Sequence, residues 1–282
     1  GKGGTGKTSV VGSLVSLFPA RVAADCDVDA ANLHMILVPE VIEEKEFIGG
    51  SKASIDPSRC TKCGTCREVC RFSAISEEFV VDHRSCEGCG ACYVLCPAGA
   101  VDFPSSRAGT CYLCKDKSAN PFVYAELLPG EENSGKLVAM VRNEARVLAE
   151  TKNIPLVIID GPPGIGCPVI SSMTGTHVAV IVTEPTISGL HDLARIIDLA
   201  RFFKCTTGVI VNKSDVNPDY CKRIEERCLA KGGIFLGAIP YDPKVTEAQI
   251  QATTILDSAP DSETSYIIRT IHNKLSTILE EL

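Results

Sequence analysis

Short apolar runs alternate with helix-length amphipathic stretches along most of the chain. Residues 22–24, 154–159, 178–182 and 209–211 are apolar runs bounded by polar or glycine-rich segments. That is the pattern of strands buried on both faces. Residues 9–17 and 188–203 read as helices. In the second, Leu190, Leu193, Ile196, Ile197 and Leu199 recur at core-facing spacing. Strand, helix and turn signals alternate through 121–250, with a further strand at 122–128 and a helix at 136–150. The sequence therefore predicts an α/β fold, a mostly parallel sheet flanked by helices. The last stretch, 262–282, places Tyr266, Ile267, Ile271, Leu275, Ile278 and Leu279 on one apolar helix face, predicted to pack on the core. It ends Glu280-Glu281-Leu282, unlike a basic amphipathic membrane anchor.

The alternation breaks once. Between the first strand and the one near 122 lies a cysteine-rich stretch holding Cys60, Cys63, Cys66 and Cys70, then Cys86, Cys89, Cys92 and Cys96, with Pro97 after the last. Each run is C-x-x-C-x-x-C-x-x-x-C, and the two are the only internal repeat detected. The spacing resembles that of bacterial-type ferredoxins, whose fourth cysteine in each run serves the other run's cluster. The resemblance implies two [4Fe–4S] clusters, one on Cys60, Cys63, Cys66 and Cys96, the other on Cys86, Cys89, Cys92 and Cys70. Zinc sites come as paired C-x-x-C units, and disulfides suit secreted chains. Arg71 stands where a proline would close the first run. Glu43, Glu44, Lys45 and Glu46 with Gly49 and Gly50 read as an entry linker, and Pro104-Ser105-Ser106 as a return turn. The expected organisation is an inserted module at 54–104 within one larger domain made of 1–53 and 105–282.

The chain has 282 residues, 45% of them hydrophobic, enough for a sizeable core. Its formal charge is −7, and two clusters would each add roughly −2. Such acidity disfavours nonspecific binding to nucleic acid or to a membrane surface. No signal peptide and no apolar run near the roughly 18 residues of a membrane span is visible. With 15 cysteines arranged for metal rather than for disulfides, a cytoplasmic protein is expected.

Gly1-Lys2-Gly3-Gly4-Thr5-Gly6-Lys7-Thr8 fits the phosphate-binding pattern G-x-x-x-x-G-K-[ST]. Glycines let backbone N–H groups face phosphate oxygens, Lys7 reaches the β and γ phosphates, and the Thr8 hydroxyl sits on Mg²⁺. The loop needs a preceding strand, so a longer natural N-terminus is expected. A second lysine, Lys2, early in the loop resembles the deviant Walker A signature of the MinD/ParA/Mrp/nitrogenase-iron-protein family. Other segments fit in order: Asp25-Cys26-Asp27-Val28-Asp29 with Asn32, Asp160-Gly161-Pro162-Pro163-Gly164, Thr183-Glu184-Pro185, and Asn212-Lys213. That resemblance implies a P-loop ATPase that dimerises, with Lys2 reaching the partner's nucleotide. It further implies that Asp160 orients Mg²⁺ through water, that Asp25 or Asp27 holds the attacking water, and that Asn212 touches adenine. Gly3, Gly4, Thr5, Gly6 and Gly164 complete the expected nucleotide contacts. Asp29 reads as a helix cap.

Two other segments look alike but read differently. Gly130 to Lys136 also fits G-x-x-x-x-G-K, but Leu137 replaces the magnesium hydroxyl and two glutamates would repel phosphate. It reads as a turn with Asn133 or Ser134 capping the next helix. Asn212-Lys213-Ser214-Asp215 matches the N-K-x-D of GTPases, although the family resemblance favours ATP. Among the remaining cysteines, Cys111 and Cys114 could join a metal site, bridge subunits, act as a redox dithiol or stay unligated in a loop. Cys167 follows the second switch, where the nitrogenase iron protein has a cluster ligand, but a core or reactive thiol is the simpler reading. Cys26, Cys205, Cys221 and Cys228 read as packing residues.

The functional expectation is an ATP-hydrolysing homodimer whose nucleotide state gates electron delivery through the clusters to a partner protein. The alternative is a carrier or scaffold for iron–sulfur or related metal-cofactor assembly. A positioning or partition ATPase is disfavoured by the acidic charge and the missing anchor.

Overall fold

The structure, a computed structural model, describes residues 3–131 and 134–282 and divides into two compact units. One is drawn from 1–44, 112–125 and 134–282, the other from 45–111 and 126–133.

The larger unit begins with α1 (Lys7–Leu17), β1 (Val22–Asp25) and α2 (Leu33–Leu37). The chain then leaves along β2 (Glu40–Ser51). In the smaller unit it forms β3 (Ser54–Ile55), α3 (Thr65–Val69), α4 (Ala91–Leu95) and β4 (Val101–Asp102). It returns along β5 (Ser105–Lys115) and β6 (Pro121–Leu127). The larger unit resumes with α5 (Ser134–Lys152), β7 (Val157–Asp160), α6 (Cys167–Met173), β8 (Val178–Thr183) and α7 (Ile187–Phe202). It is completed by β9 (Thr206–Asn212), a 3-10 turn (Ser214–Val216), α8 (Pro218–Ala230), β10 (Ile234–Ile239), α9 (Pro243–Ile250), α10 (Ile255–Ser258) and α11 (Glu263–Glu280).

In the larger unit β1 lies between β6 and β7, parallel to both. Strands β8, β9 and β10 form a second parallel ladder in the order β10-β9-β8. Neighbouring residues on these strands face opposite layers. Val182, Ile210, Leu236 and Ile239 meet Val10 and Leu14 of α1 and Ile268, Ile271 and Leu275 of α11. Ile181, Val209 and Val211 meet Leu193, Ile196 and Ile197 of α7 and Ile224 of α8. Strands buried on both faces read as continuous apolar runs, as the sequence indicated. The helices carry local start signals. Thr186, Asn217, Asp242 and Ser262 each accept a backbone N–H in the first turn of α7, α8, α9 and α11.

Three readings of the sequence need correction. The acidic stretch 43–46 with Gly49 and Gly50 is part of strand β2, and the segment after Pro104 is strand β5. Interleaved charged positions on an exposed strand look like linker when only hydrophobicity is followed. Because both connections are strands, the smaller unit is wider than the 54–104 span expected. On α11 the buried line is Thr264, Ile268, Ile271 and Leu275, one helical face at i, i+4, i+7 and i+11, and Tyr266 is 73% exposed. Helix α5 starts at Ser134; Asn133, the other candidate cap, lies outside the described residues, as does Lys2.

The smaller unit is internally repetitive. Antiparallel β3 and β4 pair Ser54 with Asp102 and Ile55 with Val101, and Ile75 bridges Val81. Cys60 N donates to Asp56 O at 3.0 Å, and Cys86 N to Asp82 O at 3.0 Å. Short helices α3 and α4 follow Gly64 and Gly90, both left-handed at φ 89° and 73°. Gly88 requires glycine: its φ is +63° and an added Cβ would stand 2.4 Å from Ser51 O.

Candidate functional site

Two sets of residues carry chemistry, one in each unit. In the larger unit the glycine-rich loop bends through left-handed Gly4 and Gly6, both at φ 80°, and α1 begins at Lys7. The loop is held from the β9 side. Asn212 Nδ2 donates to Thr5 O at 3.0 Å, and Lys213 Nζ donates to Gly4 O at 3.3 Å while pairing with Glu184 at 2.5 Å. A side chain at Gly6 would clash with that amide, its Cβ falling 2.4 Å from Asn212 Nδ2. Beside the loop lies a cavity of about 880 Å³ lined by Gly4, Gly6, Asn212, Lys213, Tyr241 and Asp242, among others.

The carboxylates sit at the C-terminal ends of the parallel strands, where such sheets gather ligand contacts. Register places Asp25 of β1 opposite Asp160 of β7, and both are buried. Asp160 is pushed up to about 7, by burial first and by the neighbouring Asp25 next, with the Thr8 hydroxyl and Lys7 opposing. Neither Asp160 oxygen has a hydrogen-bond partner at standard geometry. An orphaned buried carboxylate next to a Thr hydroxyl suits a hydrated Mg²⁺.

Asp25 is otherwise engaged. Its Oδ1 accepts from Asp27 N at 3.0 Å, and its Oδ2 accepts from Asn32 N and Leu33 N, each at 3.0 Å. Burial still holds its carboxyl above the ordinary range, making it a weaker acid, despite those three donors. It thus caps α2 from seven residues upstream. This corrects the capping role expected of Asp29, which is exposed in a turn. Asp27 is half-buried and pushed up to about 6, by burial first and by Asp25 next, with Lys7 opposing. Gly164 is exposed in the β7–α6 loop at φ 89°. Asp215 accepts from Tyr241 N at 2.6 Å, which occupies one of its oxygens.

In the smaller unit the eight cysteines separate into two cavities. Cys60, Cys63, Cys66 and Cys96 line one of about 300 Å³, walled by Ile55 and Phe79. Cys70, Cys86, Cys89 and Cys92 line another of about 360 Å³, walled by Phe72 and Phe103. Each group therefore combines three cysteines of one run with the fourth of the other. None of the eight forms a disulfide. Backbone N–H groups aim at the two crossing sulfurs: Ala74 N to Cys70 Sγ at 3.4 Å and Ala100 N to Cys96 Sγ at 3.3 Å. Among the described residues no three His, Cys, Asp or Glu side chains close to the distances of a single ion. Four thiols in an apolar-walled setting, with no three of them closing to single-ion distances, suit a cubane better than zinc.

The remaining cysteines divide differently. Cys111 and Cys114 are buried on β5, three positions apart on a strand, and so point to opposite faces. This corrects the loop placement, and one ion or one intrachain disulfide cannot use both. Cys114 packs with Val15, Leu33 and Phe122, and burial pushes its thiol up to about 11. Cys167 is exposed at the first position of α6. Sequence reasoning missed the Asn212–Lys213 hold on the loop and the capping by Asp25. It also missed Arg59, which binds Asp56 Oδ2 at 2.8 Å, Gly99 O at 2.7 Å and Asp102 Oδ2 at 2.5 Å. Asp-Pro-Ser-Arg ahead of Cys60 was its only local signal.

Comparison with known proteins places these features in context. The CobQ/CobB/MinD/ParA nucleotide binding domain family (CbiA) matches residues 1–255. An uncharacterized protein of Methanocaldococcus jannaschii is 33% identical over 283 residues, covering 99% of this chain and 95% of that protein. A Drosophila melanogaster protein described as a cytosolic Fe-S cluster assembly factor, Nubp2 homolog, is 30% identical over 138 residues. That match spans 44% of this chain and about half, 53%, of the fly protein. Among solved structures, the MinD cell division protein of Aquifex aeolicus aligns at a TM-score of 0.57 and 20% identity, over 98% of this chain and 94% of that one. MinD of Pyrococcus horikoshii, solved with Mg-ADP, aligns at 0.59 and 16%, over 99% and 94%. Both structural matches establish likeness of fold.

Proposed function

This chain belongs to the CobQ/CobB/MinD/ParA nucleotide-binding family, and from that premise we propose that it is an ATP-hydrolysing iron–sulfur protein. In this reading nucleotide state governs electron delivery through two [4Fe–4S] clusters to a partner protein. The observation that carries it is the crosswise grouping of eight cysteines around two cavities in a chain that also has a phosphate-binding loop.

Each ligand set has four thiolates, so each cluster is held as a resident group. Bound there, a [4Fe–4S] cluster supplies one-electron chemistry. The cysteines fix its position, the Ala74 and Ala100 N–H groups offset negative charge on the crossing sulfurs, and the apolar walls limit water.

At the nucleotide site Lys7 neutralises the β and γ phosphates, and Thr8 with Asp160 holds Mg²⁺. Asp27 holds the attacking water. Asp25, saturated by three backbone donors, fixes the loop that presents Asp27. Asn212 and Lys213 keep the loop in register for the phosphates, and Gly164 lets the second switch loop approach them. The cavity beside Tyr241 takes the base. Adenine is favoured over guanine because guanine recognition by an N-K-x-D aspartate uses both carboxylate oxygens, and Asp215 already accepts from Tyr241 N. Lys2, acting across a homodimer, belongs to the same reading by family resemblance.

Coupling follows from chain continuity. The loop organised by Asp25 is followed by α2 and, after Val38 and Pro39, by strand β2, along which the chain enters the smaller unit, so a change at the first switch acts close in sequence to that entry. Anaerobically purified protein should contain iron and acid-labile sulfide and should hydrolyse ATP. Lys7→Ala should abolish hydrolysis while leaving the iron in place; hydrolysis at the wild-type rate would refute the site assignment.

The similarity to a named Fe-S cluster assembly factor favours a second reading, a carrier that hands clusters to apo-proteins. Isotopically labelled iron would then move from this protein to an apo-acceptor. Retention of the label through repeated ATP turnover would exclude it.

A further inference from the structure

The two cysteine cavities are related by the internal repeat, so each residue around one has a counterpart around the other. Their solvent exposure is nearly matched. Cys63 and Cys89, at equivalent positions, are both exposed, and the crossing cysteines Cys70 and Cys96 are both half-buried. Each crossing sulfur accepts one backbone N–H at almost the same length. What differs is polarity and charge.

Around the first cavity Thr65 Oγ1 lies 3.4 Å from Cys63 Sγ, within hydrogen-bonding reach. Its counterpart at the second cavity is Ala91, which has no hydroxyl. Thr61 lines the first cavity, whereas its counterpart lining the second is Glu87, a carboxylate. Residues 59–69 carry Arg59, Lys62 and Arg67 against Glu68, while residues 85–95 carry only Glu87. Arg59 also has a structural part to play. Through Asp56, Gly99 and Asp102 it ties the turn before Cys60 to the turn after Cys96. Its counterpart, Ser85, bonds only the local Asp82. Both cavities have a backbone link between the crossing cysteine's turn and the partner run, Asp56 N to Ala100 O and Asp82 N to Ala74 O, each 2.8 Å. Among the described residues the first adds the Arg59 side-chain clamp and the second has only the local Ser85 bond.

Reduction adds a negative charge. A hydroxyl donor to a ligand sulfur and nearby cations favour it, and a carboxylate opposes it. Each exposed charge contributes modestly because solvent screens it. Arg71 beside Cys70 and Arg84 ahead of Cys86 oppose the order, whereas the two groups at the cavities themselves, the Thr65 hydroxyl and the Glu87 carboxylate, both favour it. We infer that the two sites are unequal, that the site of Cys60, Cys63, Cys66 and Cys96 takes the first electron, and that Arg59, Thr65 and Glu87 set the order. Arg59 acts as a positioning residue through the Cys60 and Cys96 turns. The inference rests on the iron–sulfur reading above and adds a direction to it: within this chain electrons pass from the Cys86 site to the Cys60 site.

The test is a potentiometric titration of the anaerobic full chain, followed by electron paramagnetic resonance. Dithionite, oxidised to sulfite, supplies one electron to each site in turn. Cys63→Ser and Cys89→Ser each perturb one site's spectrum and so label it. The signal changed by Cys63→Ser should appear first. In half-reduced protein the electron should favour that site at least tenfold, about 59 mV for one electron. Thr65→Ala and Glu87→Gln should each reduce the preference several-fold. Arg59→Gln should do the same, with partial recovery in Arg59→Lys. If Arg59→Gln does not fold, the Thr65 and Glu87 variants still decide. Equal potentials, the reverse order, or a preference unmoved by both Thr65→Ala and Glu87→Gln would overturn the inference. Absence of iron and sulfide from the wild-type protein would overturn the iron–sulfur reading instead.

Discussion

In the proposed function Asp27 is the carboxylate on which hydrolysis turns. Asp25 is nearer the strand and more deeply buried, but its oxygens already accept three backbone N–H groups. Asp27 is half-buried and pushed up to about 6, so it changes charge near neutrality. Asp27→Asn should reduce ATP hydrolysis at least 100-fold and leave ATP binding within a few-fold, a loss confined to the chemical step. Hydrolysis should also rise with pH through about 6, because only the ionised carboxylate can accept a proton from water. Stability runs the other way. Asp27 binds its proton more tightly when folded than at the ordinary value of 3.8, so the apo protein loses stability as pH rises from about 4 to 6. Removing the charge should therefore stabilise Asp27→Asn at pH 7 by about 1–2 kcal/mol after allowance for screening, and by nothing near pH 4. Denaturant unfolding of both proteins at the two pH values measures this. Asn212 makes a different prediction. Loss of its bond to Thr5 O should cost about 1 kcal/mol of order in the phosphate loop, seen as roughly five- to tenfold weaker nucleotide binding by Asn212→Ala.

At the level of elements, the helices and inner strands were legible because one physical rule governs them. Strands covered on both faces must be apolar throughout, and α7 must repeat its apolar residues at helical spacing. β2 and β5 escaped for different reasons. β2 is exposed along most of its length, so Glu43 to Glu46 resemble a solvated linker until pairing partners are known, and β5 opens on exposed Ser105 directly after Pro104. The same oversight let a loop stand among the four readings of Cys111 and Cys114. A C-x-x-C is a ligand pair only where a turn brings its sulfurs together, and a strand separates them. Cys111→Ala and Cys114→Ala should accordingly leave iron content unchanged, as elemental analysis of the purified variants would show. Helix α11 was found with most of its face, since Ile267, Ile271, Leu275 and Ile278 all join the core, but Tyr266 lies outside it. Ile271 is 1% exposed within the cluster that joins α1, β10 and α11. Ile271→Ala should destabilise by about 2–5 kcal/mol, whereas Tyr266→Ala should be within about 0.5 kcal/mol of the parent. Comparable losses from both would place the helix in a different rotation.

For the whole molecule, the phosphate loop and the cysteine runs were readable because both are local in sequence. Fixed spacing puts consecutive N–H groups on a phosphate and three sulfurs around one cavity. Long-range relations were not readable in the same way. Asp25 and Asp160 meet only through strand register, and Asn212 reaches Thr5 only when β9 is in place. The crossing of Cys70 and Cys96 came from the likeness to ferredoxins, and the structure groups the sulfurs in the same sets. Among the described residues no helix is long and apolar enough to cross a membrane.

Under the proposed function the nucleotide site and the cysteine sites influence one another. The most direct measurement is the rate at which a one-electron acceptor oxidises the dithionite-reduced protein, with excess reductant removed, in the presence of Mg·ATP, of Mg·ADP and of no nucleotide. Rates that differ at least several-fold among the three conditions, and that converge in Lys7→Ala, are the predicted result. Identical rates in all three, from protein that holds its iron and binds ATP, would contradict the account.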